Sequence, residues 1–343
     1  MKKMLIGVMD SNIGGINSYI IKFITSHSDI KFSILANGEI NNAYIGIINN
    51  TVKIYIIPSI SHPFMLYKNI YDVIANNNFD SLYLNISTAL FYPAALAAKK
   101  LNKEVIVHSH SSYTADERFI KRMVINVLNK ILSKKTNKNS SIKYSCSDKA
   151  AKWLFGTTKN VTYIYNSVSK KKFEFSNVER EKLRNKLNIS NSFVVGFIGA
   201  FNYQKNNEWF IKFAKKINGK NIRILMIGEG VKFNSFYYKL RKFNLEKYFI
   251  ILGSLVDAYK YYNVMDCFIL PSRFEGLPFV GVEAQVNGLK CFFSNKITSQ
   301  VLITEEAEMF NLKDIKKLIT KISKLQIGVH TTTPKLEFDK FVF

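Results

Sequence analysis

Residues 267–285 read CFILPSRFEGLPFVGVEAQ, and they predict a strand, a loop and a helix in succession. The apolar residues 267–270 suit a buried strand that ends at the loop. Pro278 suits the first turn of a helix, because its missing N–H costs no hydrogen bond there. The backbone amides of Glu275, Gly276 and Leu277 would then lie at a helix N-terminus, which favours an anionic or polyhydroxyl ligand.

Two acidic residues belong to this stretch, Glu275 in the loop and Glu283 on the predicted helix. They lie eight positions apart, which is at most about 12 Å at the helical rise. One ligand could therefore contact both carboxylates. The alternative is that Glu275 interacts with the helix dipole and that Glu283 is an exposed helical carboxylate.

Outward from this stretch, short apolar runs alternate with amphipathic segments along nearly the whole chain. Such alternation is typical of βαβ units on a parallel sheet. A first series of strands is predicted at residues 4–9, 32–35, 52–57, 81–86, 104–107 and 142–146. A second series is predicted at residues 194–199, 222–227, 249–252, 267–270 and 291–293. The predicted fold class is therefore α/β, with two doubly wound halves.

The length of 343 residues and the hydrophobic content of 47% allow two domains of ordinary size. We predict them at residues 1–168 and 169–330. The charged clusters of residues 167–192 look like a linker with a solvated helix. Residues 331–343 fit no predicted element.

The three cysteines, Cys146, Cys267 and Cys291, stand singly in apolar runs. Their spacing indicates neither a disulfide framework nor a zinc site, and a reducing cytoplasm fits best. Asp10 interrupts the apolar run near the N-terminus, so no signal peptide is predicted. Residues 81–98 lack charge, but their polar residues predict strand, turn and helix instead of a membrane span.

The formal net charge of +24 would attract any polyanion, although part of the lysine excess could be compositional. No RNA-binding aromatic motif, KH loop or zinc-finger spacing accompanies the charge. We therefore expect no nucleic-acid partner.

Residues 271–285 resemble the E-x7-E signature of retaining glycosyltransferases of family GT4, whose GT-B fold has two Rossmann-like domains facing each other across a cleft. The segment Gly228-Glu229-Gly230 resembles the family's glycine turn, and Leu252-Gly253 follows in the expected order. The resemblance is strong over residues 194–294. It implies that the N-terminal domain binds the acceptor and that the C-terminal domain binds a nucleotide-sugar donor.

The resemblance also implies roles for the signature residues. Glu275 would contact donor-sugar hydroxyls as the catalytic glutamate, Glu283 would bind the ribose, and Gly276 and Leu277 would give backbone contacts. Lys205 would bind the diphosphate, with Arg273 as a further cation for the leaving group. The arginine expected beside Gly199 is replaced by Ala200, which removes one diphosphate contact.

In the first domain, Gly14-Gly15-Ile16 resembles the family's glycine loop. This implies that Gly15 lies near the donor phosphates and that the flanking Asn12 faces the acceptor, although two glycines before a helix are often only a tight turn. Family members carry a histidine near the donor sugar after the strand at 104–107. We favour His110 for that catalytic position and place His108 on the acceptor side, because open α/β sheets bind ligands at this edge.

Residues 118–138 predict an amphipathic helix with apolar residues at helical spacing and several lysines. One interpretation is that this helix rests on an anionic membrane surface. The other is that its apolar stripe packs on its own sheet while the lysines are solvated.

The function expected from the resemblance is retaining transfer of a hexose-type sugar to a glycan or lipid-linked acceptor in bacterial capsule, exopolysaccharide or lipopolysaccharide synthesis. We expect no cofactor, a UDP-sugar in preference to a GDP-sugar, and no metal, because no DxD triplet is present. The expected location is the cytoplasm, with peripheral association at the inner face of the cell membrane. Two alternatives are a nucleotide-sugar epimerase of the same fold and a catalytically impaired protein that binds sugar or nucleic acid.

Overall fold

The computed structural model describes residues 1–11, 14–48, 52–114, 116–217 and 219–342. The chain divides into two compact units, Met1–Ile164 and Tyr165–Phe343. Each unit is an α/β domain with its own parallel sheet.

The described part of the first unit contains a seven-stranded sheet in the order β3-β2-β1-β4-β5-β6-β7. Its strands are β1 (Lys2–Met9), β2 (Ile30–Ala36), β3 (Lys53–Ile56), β4 (Ser81–Ile86), β5 (Glu104–Ser109), β6 (Ile142–Ser145) and β7 (Thr162–Tyr163). Its helices are α1 (Gly15–Ser26), α2 (Asn42–Ile45), α3 (Pro63–Asn77), α4 (Tyr92–Lys100), α5 (Phe119–Asn139) and α6 (Asp148–Phe155), with a 3₁₀ turn at Ala89–Phe91. The strand order reverses between β1 and β4.

The described part of the second unit contains a six-stranded sheet in the order β10-β9-β8-β11-β12-β13. Its strands are β8 (Phe193–Ile198), β9 (Ile222–Ile227), β10 (Phe249–Ile251), β11 (Cys267–Leu270), β12 (Lys290–Ser294) and β13 (Ala307–Phe310). Its helices are α7 (Lys170–Phe173), α8 (Asn177–Lys186), α9 (Glu208–Ala214), α10 (Phe233–Lys242), α11 (Phe279–Val286) and α12 (Ile315–Ile322). Four 3₁₀ segments are Glu246–Tyr248, Ala258–Val264, Ser299–Val301 and Phe338–Phe341. Here the strand order reverses between β8 and β11.

Both faces of the first sheet are buried, as parallel sheets require. Leu5 and Leu82 belong to the apolar cluster on one face, whereas Ile6 and Tyr83 belong to the cluster on the other. Successive side chains of a strand point to opposite faces, so these strands read as continuous apolar runs. The prediction of two doubly wound halves is confirmed, and every predicted strand has both ends within two residues of the observed ones.

Two strands were not predicted, β7 and β13, which have two and four residues. Both lie at an edge of their sheets, where a strand has a neighbour on one side only. Segments this short carry too few apolar residues to show a period.

The prediction of a linker with a solvated helix at residues 167–192 is wrong. Helix α8 packs in the second unit, where Arg180 and Arg184 are only 5% and 3% exposed. Both guanidinium groups pair with Asp266, just before β11, and Arg184 Nη1 lies 3.2 Å from Asp266 Oδ2. The segment is therefore anchored by a buried ionic cluster, which the charged sequence pattern does not distinguish from a solvated face.

The C-terminal tail, for which no element was predicted, belongs to the second unit. Pro334 forms an antiparallel bridge with Thr304, and Val342 forms a parallel bridge with Val168. Phe338 and Phe341 are buried, so the tail contributes to the core. Among the described residues, no helix combines the length and the apolarity that a membrane span needs.

Candidate active site

The loops after β8 and β11 meet at the carboxyl edge of the second sheet, where its strand order reverses. Asn206 Nδ2 donates to the Pro271 carbonyl at 3.0 Å, and the Arg273 amide donates to the Gln204 carbonyl at 2.8 Å. Open α/β sheets bind their ligands at such a switch point. The fold therefore brings both loops to the edge of the sheet where a ligand is expected. Lys205 lies on one loop and Glu275 on the other.

Glu275 is 6% exposed and accepts hydrogen bonds from donors on both loops. Lys205 Nζ lies 2.9 Å from Oε1, Ser272 Oγ donates to Oε1 at 2.8 Å, and Gln204 Nε2 donates to Oε2 at 2.8 Å. A buried carboxylate needs such partners to offset its lost hydration. Glu275 thus has a fixed position beside a cation.

Glu283 lies on α11 and is half-buried. The Tyr262 hydroxyl donates to Glu283 Oε2 at 2.6 Å. Burial raises the pKa of Glu283, while the bond from Tyr262 and the charges of Lys172 and Lys205 oppose that rise. The alternative of an exposed helical carboxylate is therefore wrong, and Lys205 lies close enough to affect both acids.

The start of α11 differs slightly from the prediction. Pro278 is the residue that caps the helix, and the helix begins at Phe279. Leu277 is buried, and its carbonyl accepts a bond from Asn166 Nδ2 at 2.6 Å. The backbone of Gly276 and Leu277 thus leads directly into the helix, as the sequence predicts.

The glycine turn after β9 supports the loop that carries Lys205. Gly228 has φ 136°, and a Cβ there would lie 2.2 Å from the carbonyl oxygen of Gly199. The Phe201 amide donates to the Glu229 carbonyl at 2.9 Å. Only glycine fits at Gly228, because its backbone approaches the neighbouring loop so closely.

Arg273 precedes Glu275 by two residues in the sequence, and its side chain contacts Tyr203. Its Nη1 donates to the Tyr203 carbonyl at 2.6 Å, and its guanidinium lies 4.4 Å from the centroid of the Tyr203 ring.

The two histidines of the first unit lie at the end of β5 with their rings 4.0 Å apart. His108 is fully buried, and its Nδ1 lies 3.2 Å from the Tyr83 hydroxyl, which argues against direct contact with an acceptor. His110 Nε2 donates to Asn85 Oδ1 at 2.9 Å. Burial lowers the pKa of His110 to about 3, so its imidazole is neutral at physiological pH.

Gly15 is the first residue of α1, directly after β1 and its loop, as predicted. Asn12 lies outside the described residues. In the second unit the structure brings together Lys205, Glu275 and Glu283, whereas Gly15, His108 and His110 belong to the first unit.

Several residues that contact these side chains were not predicted, among them Gln204, Ser272, Tyr262 and Asn85. Gln204 directly precedes Lys205 and Ser272 directly precedes Arg273, so their position in the sequence could have indicated them. Tyr262 and Asn85 carry no such signal, because the fold alone brings them to their partners.

Several known proteins with sequences similar to this chain are glycosyltransferases by name. Residues 179–327 match the family model for glycosyl transferases group 1. The putative glycosyltransferase EpsF of Bacillus subtilis is 24% identical over 88% of this chain and 81% of its own length. A UDP-Gal:alpha-D-GlcNAc-diphosphoundecaprenol alpha-1,3-galactosyltransferase of Escherichia coli is 25% identical over 81% of this chain and 76% of its own length.

Solved structures show the same fold. HepE of Anabaena, solved in complex with UDP-glucose, matches with a TM-score of 0.75 at 16% identity, covering 94% of this chain and 89% of its own. The lipopolysaccharide glycosyltransferase WaaG matches with a TM-score of 0.67 at 10% identity, covering 93% of this chain and 90% of its own. The architecture is thus that of the GT-B glycosyltransferases, with two Rossmann-like domains. The sequence matches support glycosyltransferase activity.

Proposed function

We propose that this chain transfers a hexose-type sugar from a UDP-sugar to a glycan or lipid-linked acceptor, with retention at the anomeric carbon, in bacterial surface-polysaccharide synthesis. The observation that carries the proposal is the position of Lys205, which pairs with Glu275 and whose charge opposes the rise that burial causes in the pKa of Glu283. A cation close to two acids at a sheet switch point suits a ligand with both phosphate and hydroxyl groups. The resemblance to family GT4 supports retention.

Each side chain has a chemical role in this proposal. Lys205 binds the diphosphate, Glu275 accepts hydrogen bonds from the donor sugar, and Glu283 accepts them from the ribose. UDP is preferred because the Escherichia coli relative is named for UDP-Gal and the Anabaena structure holds UDP-glucose.

The proposed reaction proceeds on one face of the sugar. The bond from the anomeric carbon to the diphosphate oxygen breaks, and the acceptor oxygen bonds to the same face of that carbon. The acceptor proton moves to an oxygen of the departing phosphate, so no protein nucleophile is required. Lys205 and the N-terminus of α11 stabilise the developing negative charge, and Arg273 supplies a further cation.

The alternatives have less support. The relatives compared above are named as transferases, which disfavours an epimerase. A nucleic-acid partner has only the net charge in its favour.

A thermal-shift screen tests the proposed donor. UDP and UDP-hexoses should raise the melting temperature by several degrees, because a ligand at a hundred times its Kd stabilises the folded state by about 2.7 kcal/mol. GDP should give a smaller shift at the same concentration. EDTA should leave the shift and the rate of sugar transfer unchanged. A screen in which no nucleotide shifts the melting curve contradicts the proposed donor site, and loss of transfer in EDTA contradicts metal independence.

Helix α5 supports a further part of the proposal, association with an anionic membrane surface. Its buried stripe is polar: Asn129 is fully buried, accepts from the Ala89 amide at 2.7 Å and donates to the Trp153 carbonyl at 2.7 Å. Most of its apolar residues face outward, with Ile120 77% and Val127 60% exposed, whereas Leu132 is partly buried against the core of the first unit. The interpretation that the apolar stripe packs on its own sheet is therefore wrong for the exposed residues of α5 and holds for Leu132.

An exposed apolar stripe on a lysine-rich helix is typical of helices that lie in a membrane interface. The lysines of α5 are Lys121, Lys130, Lys134, Lys135 and Lys138. Each lysine near an anionic bilayer contributes about 1 kcal/mol of attraction. We therefore propose that this outward stripe of α5 binds the bilayer that carries the acceptor.

The double variant Ile120→Asp, Val127→Asp tests the membrane proposal. It should lower partitioning onto vesicles of phosphatidylcholine and phosphatidylglycerol by about tenfold or more, because carboxylates would replace buried apolar contacts. The matched control is Val178→Asp, Val256→Asp, which changes the charge equally at exposed valines of the second unit. Co-sedimentation measures both. Equal losses in the two variants would show a charge effect alone and would contradict docking through α5.

A further inference from the structure

A cavity of about 910 Å³ opens in the first unit at the carboxyl ends of β1 and β4, where the order of the sheet reverses. Its volume is in the range of sites that bind small organic ligands. Asp10 and Asn85 mark the two strand ends, and α3, α4 and α5 contribute Pro63, Tyr92 and Ile125. The roles proposed above place no ligand in this cavity, although Asn85, the partner of His110, lines it.

One end of the cavity is polar and contains an unsatisfied donor. Asn85 is 1% exposed, and its Oδ1 accepts from His110. Its Nδ2 has no hydrogen-bond partner among the residues that the structure describes. Buried amide groups are normally paired, so this N–H₂ group indicates a ligand oxygen. Ser59 and Ser87 also line the cavity and can donate or accept hydrogen bonds.

Another wall of the cavity is formed by one side of α5, which is apolar except for Lys121, four residues before Ile125. Ile125, Leu128 and Leu132 follow one another at spacings of three and four residues, so they lie on one side of the helix. Leu90 and Phe91 complete this wall. The cavity therefore offers a polar end at Asn85 and an apolar wall along α5, and an amphiphilic ligand requires both.

The apolar wall continues to the outward stripe of α5. Val124 and Leu128 both line the cavity and are 52% and 40% exposed. A hydrocarbon chain could pass from a membrane surface into the cavity along these residues without crossing water. Such continuity would not be needed for a ligand that is polar throughout.

We propose that the cavity binds the hydrocarbon chain of a lipid-linked acceptor, with an oxygen of its polar head on Asn85 Nδ2. This inference rests on the proposed glycosyltransferase function and adds a chain-binding site to it. The acceptor is then selected by its lipid as well as by its sugar. Chain length becomes a determinant of affinity, because each buried CH₂ group adds to binding.

Alkyl glucosides are suitable probes, because they carry a hydroxyl-rich head and a chain but no charge that would respond to the net charge of +24. Calorimetric titration of the full chain with methyl, hexyl and octyl glucoside, below their micelle concentrations, should show affinity rising about fourfold for each added CH₂ group. Ile125→Trp should weaken this dependence on chain length by obstructing the apolar wall of the cavity. Val127→Asp, on the outward stripe of the same helix, should leave it unchanged.

Leu128→Asp is the second cavity variant and should also weaken the dependence on chain length. Leu128 is 40% exposed, so the protein should tolerate the substitution. Melting curves test whether each variant folds. Affinity that does not depend on chain length overturns the proposal. So does an equal loss in Val127→Asp, which would show adsorption on the outer stripe. The nucleotide thermal shift depends on the second unit, so a normal shift without glucoside binding removes only this inference. Chain-dependent glucoside binding without any nucleotide shift removes the proposed donor site instead.

Discussion

Glu275→Gln should lower kcat/KM for sugar transfer by about two to three orders of magnitude, the usual effect of removing one preorganised polar contact at a reacting centre. The carboxylate would no longer accept hydrogen bonds from the donor sugar with a full negative charge. The donors Lys205, Ser272 and Gln204 would also face an amide in place of a carboxylate. Steady-state kinetics with a UDP-sugar measures the loss.

Glu246→Gln is the matched control, because Glu246 is an exposed glutamate of the same unit with only a 3.9 Å contact to Arg241. Both variants should melt near the temperature of the unmodified chain. A Glu275→Gln enzyme with normal turnover would exclude Glu275 from the donor site.

Lys205→Ala should weaken UDP binding by at least tenfold and reduce transfer by two orders of magnitude or more, since it removes the cation assigned to the diphosphate. The pH profile should also move. Burial raises the pKa of Glu283 and the charge of Lys205 opposes that rise, so removal of Lys205 raises the pKa further and protonates Glu283 at a higher pH. If the ionised form binds the ribose, the acid limb of UDP binding shifts toward higher pH.

Lys212→Ala is the control for this variant, because Lys212 is an exposed lysine of α9 in the same unit. It alters the net charge equally. Calorimetric titration with UDP across the acid range separates the two variants. A Lys205→Ala protein that binds UDP with unchanged affinity and an unchanged pH profile would refute the diphosphate role.

The sheets and the position of the site followed from local sequence patterns. The run at residues 267–270 is a strand with the predicted bounds, and the loop after it carries Glu275 to the switch point with β8. Both facts depend on apolar runs and turn residues that lie close together in sequence. The pairing of Glu275 with Lys205 was not predicted, because it joins positions 70 residues apart.

Other features depend on tertiary contacts that leave no periodic signal. Arg180 is a buried partner of Asp266, although its helix has the composition of a solvated one. The amphipathic pattern of α5 was recognised, but the sequence did not determine which face is buried. Hydrogen bonds of Asn129 with Ala89 and Trp153 hold the polar face inward, and only the fold shows those bonds.

The most direct test of the account is a crystal structure of this chain with a bound UDP-sugar. We predict ribose hydroxyls within hydrogen-bond distance of the Glu283 carboxylate, donor-sugar hydroxyls at Glu275, and the diphosphate at Lys205 Nζ. A nucleotide bound elsewhere, or one in contact with neither carboxylate, would contradict the central claim.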